Sequence, residues 1–384
     1  MIQPIKYSSV NWVDGMKISQ RHLTANENHL NDIIRDVASC FINKFNFGLL
    51  PVSNISEGQN LFEITNSATN DVQLIIRNCN AITASGYRIA IEDLRISVNS
   101  LQKGKGAEDT DINQLTASYY ILIAVNPFDR VPEGEFDPEE TPPRHLFTKP
   151  KYHVELIPVS SITKDHFGGN YIIVGLVNYN NGTVRADQSF IPPCTSVASH
   201  PDLLRHFNNN GNIMASLQQY SRIIIRKNAY KNQNSVVSRC IRQLCETMLV
   251  YFSGSYFQYR NMVHQLPPVN MIDTFSKLAY NLYNTLELMP EKEKEETLNY
   301  CNEWSDVQPH ILLNQLSAVV EINYNHFNNG EYMQQIKLLM GNLQIIWEKL
   351  SALDYIGQHK ENIVVKEEAV TQMIKEKKGW SIID

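Results

Sequence analysis

The sequence predicts an α+β protein of more than one domain, with an N-terminal β-sandwich, a helical bundle and a short helical C-terminal region. Three observations carry this prediction. Between residues 60 and 190, apolar and polar residues alternate in short segments that Gly, Asn and Pro separate. No helical segment lies between those strands, which is typical of a sandwich. Beyond residue 201, apolar residues recur at helical spacing.

Composition narrows the functional classes. The 384 residues, 43% of them hydrophobic, are enough for the cores of two or three domains. The net charge is −6 and no Lys/Arg cluster stands out, which argues against nucleic-acid binding. The longest apolar runs, "YYILIAV" and "YIIVGLV", have the length of strands and are too short to span a bilayer. The opening "MIQPIKYSSVNW" lacks the apolar stretch of a signal peptide, so we expect a cytoplasmic protein.

The stretch "VNWVDGMKISQRHL" (10–23) places a Trp, an Asp-Gly turn and a Met directly before a predicted helix over about 20–45. Trp12 and Met16 flank the turn at Gly15. One interpretation is that they anchor a partner or a neighbouring subunit, and the other is that they close the sandwich against the helix. The helix is amphipathic, with apolar residues on one stripe: Leu23, Leu30, Ile33, Ile34, Val37, Phe41 and Phe45.

The β-region consists of seven predicted strands: "LFEIT", "VQLIIR", "YRIAIE", "LRISV", "YYILIAV", "HVELIPV" and "IIVGLV". A predicted long loop at 126–151 interrupts them and holds six prolines and six acidic residues. A loop of this length is either a mobile, solvated connection or a docking loop for a protein partner.

The segment "FIPPCTSVASHP" (190–201) marks a boundary, because a pair of prolines favours an extended linker. Helices are predicted over 202–228, 236–264, 269–289 and about 309–325, and "PEKEKEE" is predicted to be a charged turn. The second helix carries Tyr251, Tyr256 and Tyr259, which suit either core packing or a neighbouring subunit. The predicted domains are therefore 1–195, 196–325 and 326–384, the last mostly helical with "KEEAVTQMIKEKKGW" as a further helix.

No residue pattern indicates an enzyme. His22 and His29 share a helix face but lack further ligands for zinc. There is no Gly-x-Ser-x-Gly segment, and Cys194 lies in an extended linker that would not activate a thiol. The six scattered cysteines are predicted to be reduced and buried. We therefore predict no catalytic site, metal, cofactor or small-molecule substrate.

Four segments together resemble one family. "NWVDGMKISQRHL" resembles the pattern Trp-x-Glu-Gly-Met-x-Leu-x-Pro-Gln-His-Phe, although Asp14, Ile18, Ser19 and Leu23 depart from it. "FNFGLL" (45–50) resembles an aromatic-Gly stretch, and "NCNAITASGYRI" (78–89) resembles an Ala-Val-x-Pro-Asp-Gly hairpin. "FIPPCTSVASHPDLL" (190–204) resembles a Phe-Ile-Pro-Pro-Cys segment followed by Ser-Pro-x-Leu-Leu. The four occur in the same order and at the same spacing as in TssK, a baseplate component of bacterial type VI secretion systems.

The resemblance implies a structural adaptor. It implies a shoulder like that of phage receptor-binding proteins, a helical neck, and a homotrimer that packs its neck helices around a threefold axis. The trimer would link the wedge proteins TssF and TssG to the membrane complex, at the cytoplasmic face of the inner membrane. The residues expected at partner or inter-subunit contacts are Trp12, Gly15, Met16, Gln20, His22, Phe190, Ile191, Pro192 and Pro193.

This chain departs from the family at its end, because only about 60 residues follow the fourth predicted helix. We expect a reduced or replaced head and a different inner-membrane partner. The alternative function is a prophage tail receptor-binding or fibre-attachment protein, which would share the shoulder.

Overall fold

The structure, a computed structural model, describes residues 3–51, 61–66, 72–98, 117–162, 169–180 and 183–360. One helix, α1 (Gln20–Phe41), precedes two β-sheets, and helices follow the sheets. The predicted α+β class is confirmed.

The first sheet is built around one long strand. β3 (Val72–Ile82) pairs on one edge with β1 (Gly48–Leu49) and β2 (Phe62–Asn66), and on the other with β4 (Arg88–Val98). All pairs are antiparallel. The segments "YRIAIE" and "LRISV", predicted as two strands, form the single strand β4, because the pairing with β3 continues past Asp93.

The second sheet has the order β6-β5-β7-β8, with β5 (Ala117–Asp137), β6 (Arg144–Pro158), β7 (Tyr171–Asn180) and β8 (Thr183–Ala186). Alternate residues of both sheets enter one buried cluster, as Ile76 and Ile121 do. The opposite face of the second sheet is buried as well, around Leu122 and Ile173. Burial on both faces explains why these strands are continuous apolar runs.

The segment 126–151 is not the predicted long loop but the outer half of the β5–β6 hairpin. Cross-strand pairs Lys149–Glu133 (2.9 Å) and Lys151–Asp129 (3.1 Å) match the acidic residues with bases. Two register shifts in β5 accommodate irregular backbone, and Pro150 lies on the edge strand β6. Prolines are tolerated at such positions, so their presence did not mark a loop. A docking role for this hairpin stays a prediction.

Six helices form the second half of the described chain. They are α2 (Pro201–Tyr230), α3 (Val236–Asn261), α4 (Pro268–Glu287), α5 (Glu291–Ser305), α6 (Pro309–Val320) and α7 (Asn329–Ala352). The predicted turn "PEKEKEE" is instead the start of α5. Glu and Lys are good helix formers, and acidic residues in a first turn complement the helix dipole.

The apolar stripes of the bundle are buried within one chain. Phe252 and Phe275 are almost fully inaccessible, and the Tyr259 hydroxyl donates to the Phe207 carbonyl at 2.8 Å. Tyr259 is therefore a core residue. The stripes contact each other inside the protein, and the expectation that the neck helices pack around a threefold axis stays a prediction.

The helix α7 shares this core, although the sequence places it beyond the predicted boundary at residue 325. It packs against α2, and the Trp347 indole N–H donates to the Ser221 hydroxyl at 2.9 Å. The division into three domains stays a prediction. The segment "KEEAVTQMIKEKKGW" lies outside the described residues.

The sandwich and the bundle are joined where two of the sequence motifs meet. Leu49 N donates to the Pro193 carbonyl at 2.8 Å, and Thr195 N donates to the Leu49 carbonyl at 2.9 Å. Gly48 has φ +111°, and a Cβ there would lie 2.1 Å from the Pro193 oxygen. Only glycine fits at this position. The "FNFGLL" and "FIPPC" segments thus form one contact, which we call the junction.

The loop between α6 and α7 completes the junction. His326 is buried, with Nε2 2.8 Å from the Phe47 carbonyl oxygen and Nδ1 2.6 Å from the Tyr324 hydroxyl. Because a carbonyl only accepts, Nε2 carries the hydrogen and donates to Phe47. The Tyr324 hydroxyl lies between His326 Nδ1 and Asn329 Oδ1, to which it donates at 2.9 Å. Burial lowers the pKa of His326 to about 4, although the bond to the Phe47 carbonyl favours the charged form. The junction therefore holds a neutral imidazole at pH 7.

Replacement of Gly48 tests the close approach at the junction. We expect Gly48→Ala to lower the free energy of unfolding by more than about 2 kcal/mol, since the new Cβ meets backbone at an unfavourable φ. The matched control is Gly254→Ala in α3, where a Cβ meets nothing within 4 Å. That change should stabilise the protein by up to about 1 kcal/mol. Urea denaturation measures both, and equal small effects would contradict the junction geometry.

The buried His326 predicts acid sensitivity. The imidazole binds a proton more weakly in the folded state than in the unfolded state. Its contribution to the free energy of unfolding is therefore fully present above pH 6.5 and is lost as the pH falls. As the pH falls from 6.5 to 4, the free energy of unfolding should drop by about 3 kcal/mol on account of this residue. In His326→Gln this part of the pH dependence should vanish, whereas His310→Gln, at an exposed position on α6, should retain it. Urea denaturation at several pH values checks this, and identical slopes in all three proteins would contradict it.

Candidate functional site

The N-terminal turn lies exposed at the start of α1. Met16 N donates to the Val13 carbonyl at 3.2 Å, and Gly15 adopts φ +77°. The Trp12 side chain is 48% exposed, and its ring meets the His22 ring edge-on at 6.2 Å. An indole this exposed at a tight turn is available to a partner.

The first turn of α1 fixes that arrangement. Ser19 is the N-cap residue of α1, at the position where the family pattern has Pro. Its backbone N–H donates to His22 Nδ1 at 3.2 Å. His22 thus links the helix start to Trp12. The other predicted residues of this group, Gly15, Met16 and Gln20, lie in the same turn or at the start of α1.

One face of α1 is buried, and it is the polar face. Asp32 and Arg35 are almost fully inaccessible and form an ion pair at 2.9 Å. Asp32 Oδ2 accepts from the backbone N–H groups of Lys6 and Tyr7. The Arg35 guanidinium donates to the Gln3 carbonyl at 2.8 Å. We call this set of bonds the clamp, because it fastens segment 3–7 to α1.

The electrostatics of the clamp are balanced. Burial alone would raise the pKa of Asp32, but hydrogen bonds from Lys6 N, Tyr7 N and the Arg35 guanidinium outweigh it. The pKa of this carboxyl is therefore held below its usual value. The carboxylate and the guanidinium both stay charged and both have partners, as a buried ion pair requires.

The "NCNAITASGYRI" motif packs closely against the same face of α1. Gly86, in the "ASGYRI" turn, has φ +96°, and a Cβ there would lie 2.7 Å from the Arg35 carbonyl oxygen. The Tyr7 ring lies 4.4 Å from the Phe128 ring of β5, between centroids. Thus α1 is fastened to the sandwich through its polar side, in a fixed rotation about its own axis.

The apolar stripe of α1 consequently faces outward. An amphipathic helix normally buries this stripe, yet five of its seven predicted residues are at least half exposed: Leu23 59%, Leu30 50%, Ile34 66%, Val37 56% and Phe41 77%. Ile33 is 37% exposed, and Phe45 lies beyond the end of α1 at Phe41. We call the first five, together with Trp12, the assembly surface. Patches of this kind mark contacts with other proteins.

The other four predicted site residues lie elsewhere, at the junction. Ile191, Pro192 and Pro193 are buried by the chain itself, and Phe190 packs on Tyr120 at 5.8 Å between ring centroids. The structure does not bring them together with the N-terminal five. Their role in partner contacts stays a prediction.

Sequence reasoning missed Asp32 and Arg35, and it did not predict that the stripe is exposed. The available signal was an acidic and a basic residue at i and i+3 on the side opposite the stripe. Such a pair is common on the solvent-exposed side of helices, so it did not indicate a buried contact.

The described residues offer little reactive chemistry. Among them, no group of three or more His, Cys, Asp or Glu side chains could hold a metal ion. In the same part of the chain, no helix has the length and apolar character needed to cross a bilayer. Five cysteines are buried as predicted, but Cys40 is exposed because it lies beside the outward stripe of α1. Burial raises the pKa of the Cys79 and Cys301 thiols to about 12, so these thiols are protonated at neutral pH.

The fold is a β-sandwich joined to a helical bundle, and the assembly surface lies on its outside. No protein-family model matches the chain, and no curated protein sequence matches it. The chain is, however, similar in structure to several solved TssK chains.

The similarity to these TssK structures is distant. A crystal structure of TssK matches with 15% identity and a TM-score of 0.45, over 88% of this chain and 69% of that chain. TssK in the type VI TssK-TssF-TssG baseplate subcomplex, seen by cryo-electron microscopy, matches with 11% identity and a TM-score of 0.45, over 88% and 100%. A chain of the type VI baseplate complex matches with 13% identity and a TM-score of 0.47, over 82% and 100%. These are structures of the family that the four sequence motifs resemble.

Removal of the clamp tests what holds α1. We expect Arg35→Leu to lower the free energy of unfolding by about 3–5 kcal/mol, because Asp32 is left buried and uncompensated. Arg21→Leu, at an exposed position on the same helix, should change it by less than about 0.5 kcal/mol. Urea denaturation measures both, and an effect of Arg35→Leu below 1 kcal/mol would refute the clamp.

Proposed function

We propose that this chain is a structural adaptor of a type VI secretion baseplate, without catalytic activity. In this proposal it forms a homotrimer that joins wedge proteins of the TssF and TssG kind to the membrane complex, at the cytoplasmic face of the inner membrane. The observation that carries the proposal is the assembly surface. A helix whose apolar side is turned outward by a buried ion pair is built for contact with other protein chains.

The places of the four family-like motifs support the proposal. The first forms the exposed turn at Trp12, and the third presses on the polar face of α1 through Gly86. The second and fourth meet at the junction, where Leu49 bonds to Pro193. The residues that carry the resemblance therefore have structural roles. Those of the first and third motifs position the assembly surface, and those of the second and fourth join the sandwich to the bundle.

A rigid body suits an adaptor. Gly48 and His326 connect the two halves of the chain through buried backbone contacts. Such contacts resist bending between the sandwich and the bundle, so force applied to one half reaches the other. Three copies would also present each weak site three times, which raises the overall affinity for a large partner.

Co-purification tests the proposal. The full-length chain is co-expressed with the TssF and TssG proteins of its own genome, and an affinity tag on the wedge proteins is used for capture. We expect the chain to elute with them in one peak on size exclusion. If the separately folded chain does not bind the wedge proteins at micromolar concentration, the baseplate assignment is wrong.

The exposed indole gives a residue-level prediction. We expect Trp12→Ala to weaken wedge binding at least about tenfold, since a half-exposed Trp is a typical anchor of an interface. The free energy of unfolding should fall by about 1 kcal/mol or less. The control is Tyr230→Ala, an aromatic that is 94% exposed at the end of α2 and should bind normally.

Biolayer interferometry on captured wedge protein measures the affinities of both variants. If Trp12→Ala binds as well as the unchanged protein, Trp12 is not an anchor. If the variant is instead insoluble, Trp12 packs against the sandwich of its own chain and does not serve as a contact between proteins.

A further inference from the structure

The outer half of the β5–β6 hairpin extends beyond the rest of its sheet. Within the described chain, β7 pairs with β5 only as far as Ala124, so residues 126–151 form a two-stranded ribbon, which we call the ribbon. Every residue from 141 to 149 is exposed. A two-stranded hairpin on its own buries little apolar surface and is only marginally stable in water.

The base of the ribbon is nevertheless held in place by α1 and the N-terminal segment. Arg130 forms an ion pair with Glu27 of α1 and donates to the Asn28 side-chain oxygen at 2.9 Å. The Phe128 ring lies 4.4 Å from the Tyr7 ring, between centroids. Because the base is fastened at these points, the far end of the ribbon is presented in a defined direction.

The far end of the ribbon carries an exposed apolar cluster. The side chains of Phe136, Leu146 and Phe147 are 55%, 44% and 66% exposed. The His145 ring meets the Phe136 ring edge-on at 5.5 Å between centroids, and its Nδ1 donates to the Gly134 carbonyl at 3.0 Å. Large aromatic side chains gathered at an exposed place are typical anchors of a contact with another protein.

A β-bulge orients this cluster. Residues 134 and 135 of β5 together oppose Leu146 of β6, and such a bulge turns the side chains that follow it. Gly134 has φ +84°, and a Cβ there would lie 3.3 Å from the Phe147 ring. Phe136 is paired with His145, which is two residues from Phe147 and therefore on the same face. The two phenylalanine rings thus point to one side of the ribbon.

Acidic residues without a base surround the cluster. Among the residues that the structure describes, no Lys, Arg or His pairs with Glu135, Asp137 or Glu139. The three other acidic residues of the ribbon each pair with a base of the ribbon. An apolar centre with a charged rim is the usual anatomy of a protein interface, and this rim has an excess of negative charge.

The sign of the rim selects the partner. Two copies of this chain that met through their ribbons would bring like charges together, and the chain, with net charge −6, has no Lys/Arg cluster to offer instead. Nucleic acids and anionic lipids are repelled by the same charge. A different protein with basic residues around an apolar pocket is complementary to both the rim and the centre.

We propose that the end of the ribbon is a second docking site, separate from the assembly surface, for another protein chain that carries Lys or Arg residues around an apolar pocket. Phe136 and Phe147 enter the pocket, and Glu135, Asp137 and Glu139 pair with its basic rim. This site is independent of the proposed function, because it involves neither the stripe of α1 nor any number of copies.

Site-specific photo-cross-linking tests the site in cells of the source organism. The photoreactive amino acid p-benzoylphenylalanine replaces Phe147 in the full chain, and the cross-linked segment is sequenced by mass spectrometry. We expect a product with a different protein, joined through a segment that holds Lys or Arg beside apolar residues. The control carries the same amino acid at Tyr230, which is 94% exposed on the bundle and should give no such product.

Neutralisation of the rim tests the role of charge. In the chain with the cross-linker at position 147, Glu135→Gln, Asp137→Asn and Glu139→Gln together should lower the yield of the product at least about fivefold, because the ion pairs across the interface are lost. The matched control removes the same charge at three exposed positions of the bundle and should leave the yield unchanged: Glu295, Glu321 and Glu348, each replaced by Gln.

Four results would overturn the proposal. They are no product at position 147, a product with a second copy of this chain, a partner segment without basic residues, and a yield that the neutralised rim leaves unchanged. Urea denaturation shows that each variant is folded, which we expect because the substituted side chains lie at the surface. If the expected product forms although the chain does not bind wedge proteins, the proposed function fails while this inference stands.

Discussion

The buried ion pair between Asp32 and Arg35 determines which side of α1 meets solvent. Its hydrogen bonds to the backbone of segment 3–7 satisfy both charges, and without them the polar face of the helix would return to water. Hydrophobic burial alone would favour the opposite rotation, with the stripe against the sandwich. The ion pair and its backbone partners therefore determine the orientation of α1, on which the exposure of the assembly surface depends.

The junction provides the second constraint. Gly48 lets β1 approach the backbone at Pro193, and the neutral His326 ring lies beside this contact. Each ring nitrogen of His326 has a hydrogen-bond partner. Both contacts are buried and leave little room for alternatives. The sandwich, with α1 fastened to it, is thus joined to the bundle through buried contacts.

The sequence predicted most elements, because alternation and helical spacing are local signals. It failed where tertiary contacts overrule local chemistry. The prolines of 126–151 suggested a loop, but bulges and an edge strand accept them. The charges of α5 suggested a turn. For α1 the sequence predicted the apolar stripe but not that the stripe is exposed. The exposure depends on hydrogen bonds to backbone groups of segment 3–7, and such bonds leave no periodic pattern in the sequence.

Sequence motifs located part of the surface that the structure leaves exposed, and the partner-binding role of these residues stays a prediction. The group from Trp12 to His22 was located through the family resemblance, and the structure places it at the exposed turn. Ile191 and the two prolines after it belong to the buried junction instead. A linker motif and a contact motif look alike in sequence, because both combine aromatic, apolar and proline residues without a repeating pattern.

The measurement that tests the central claim most directly is a cryo-electron microscopy map of the chain bound to its wedge proteins, in which the surface of α1 is traced. We predict that Trp12 and the apolar stripe of α1 are covered by another protein chain in that map. A map of the complex in which the stripe faces solvent would contradict this claim.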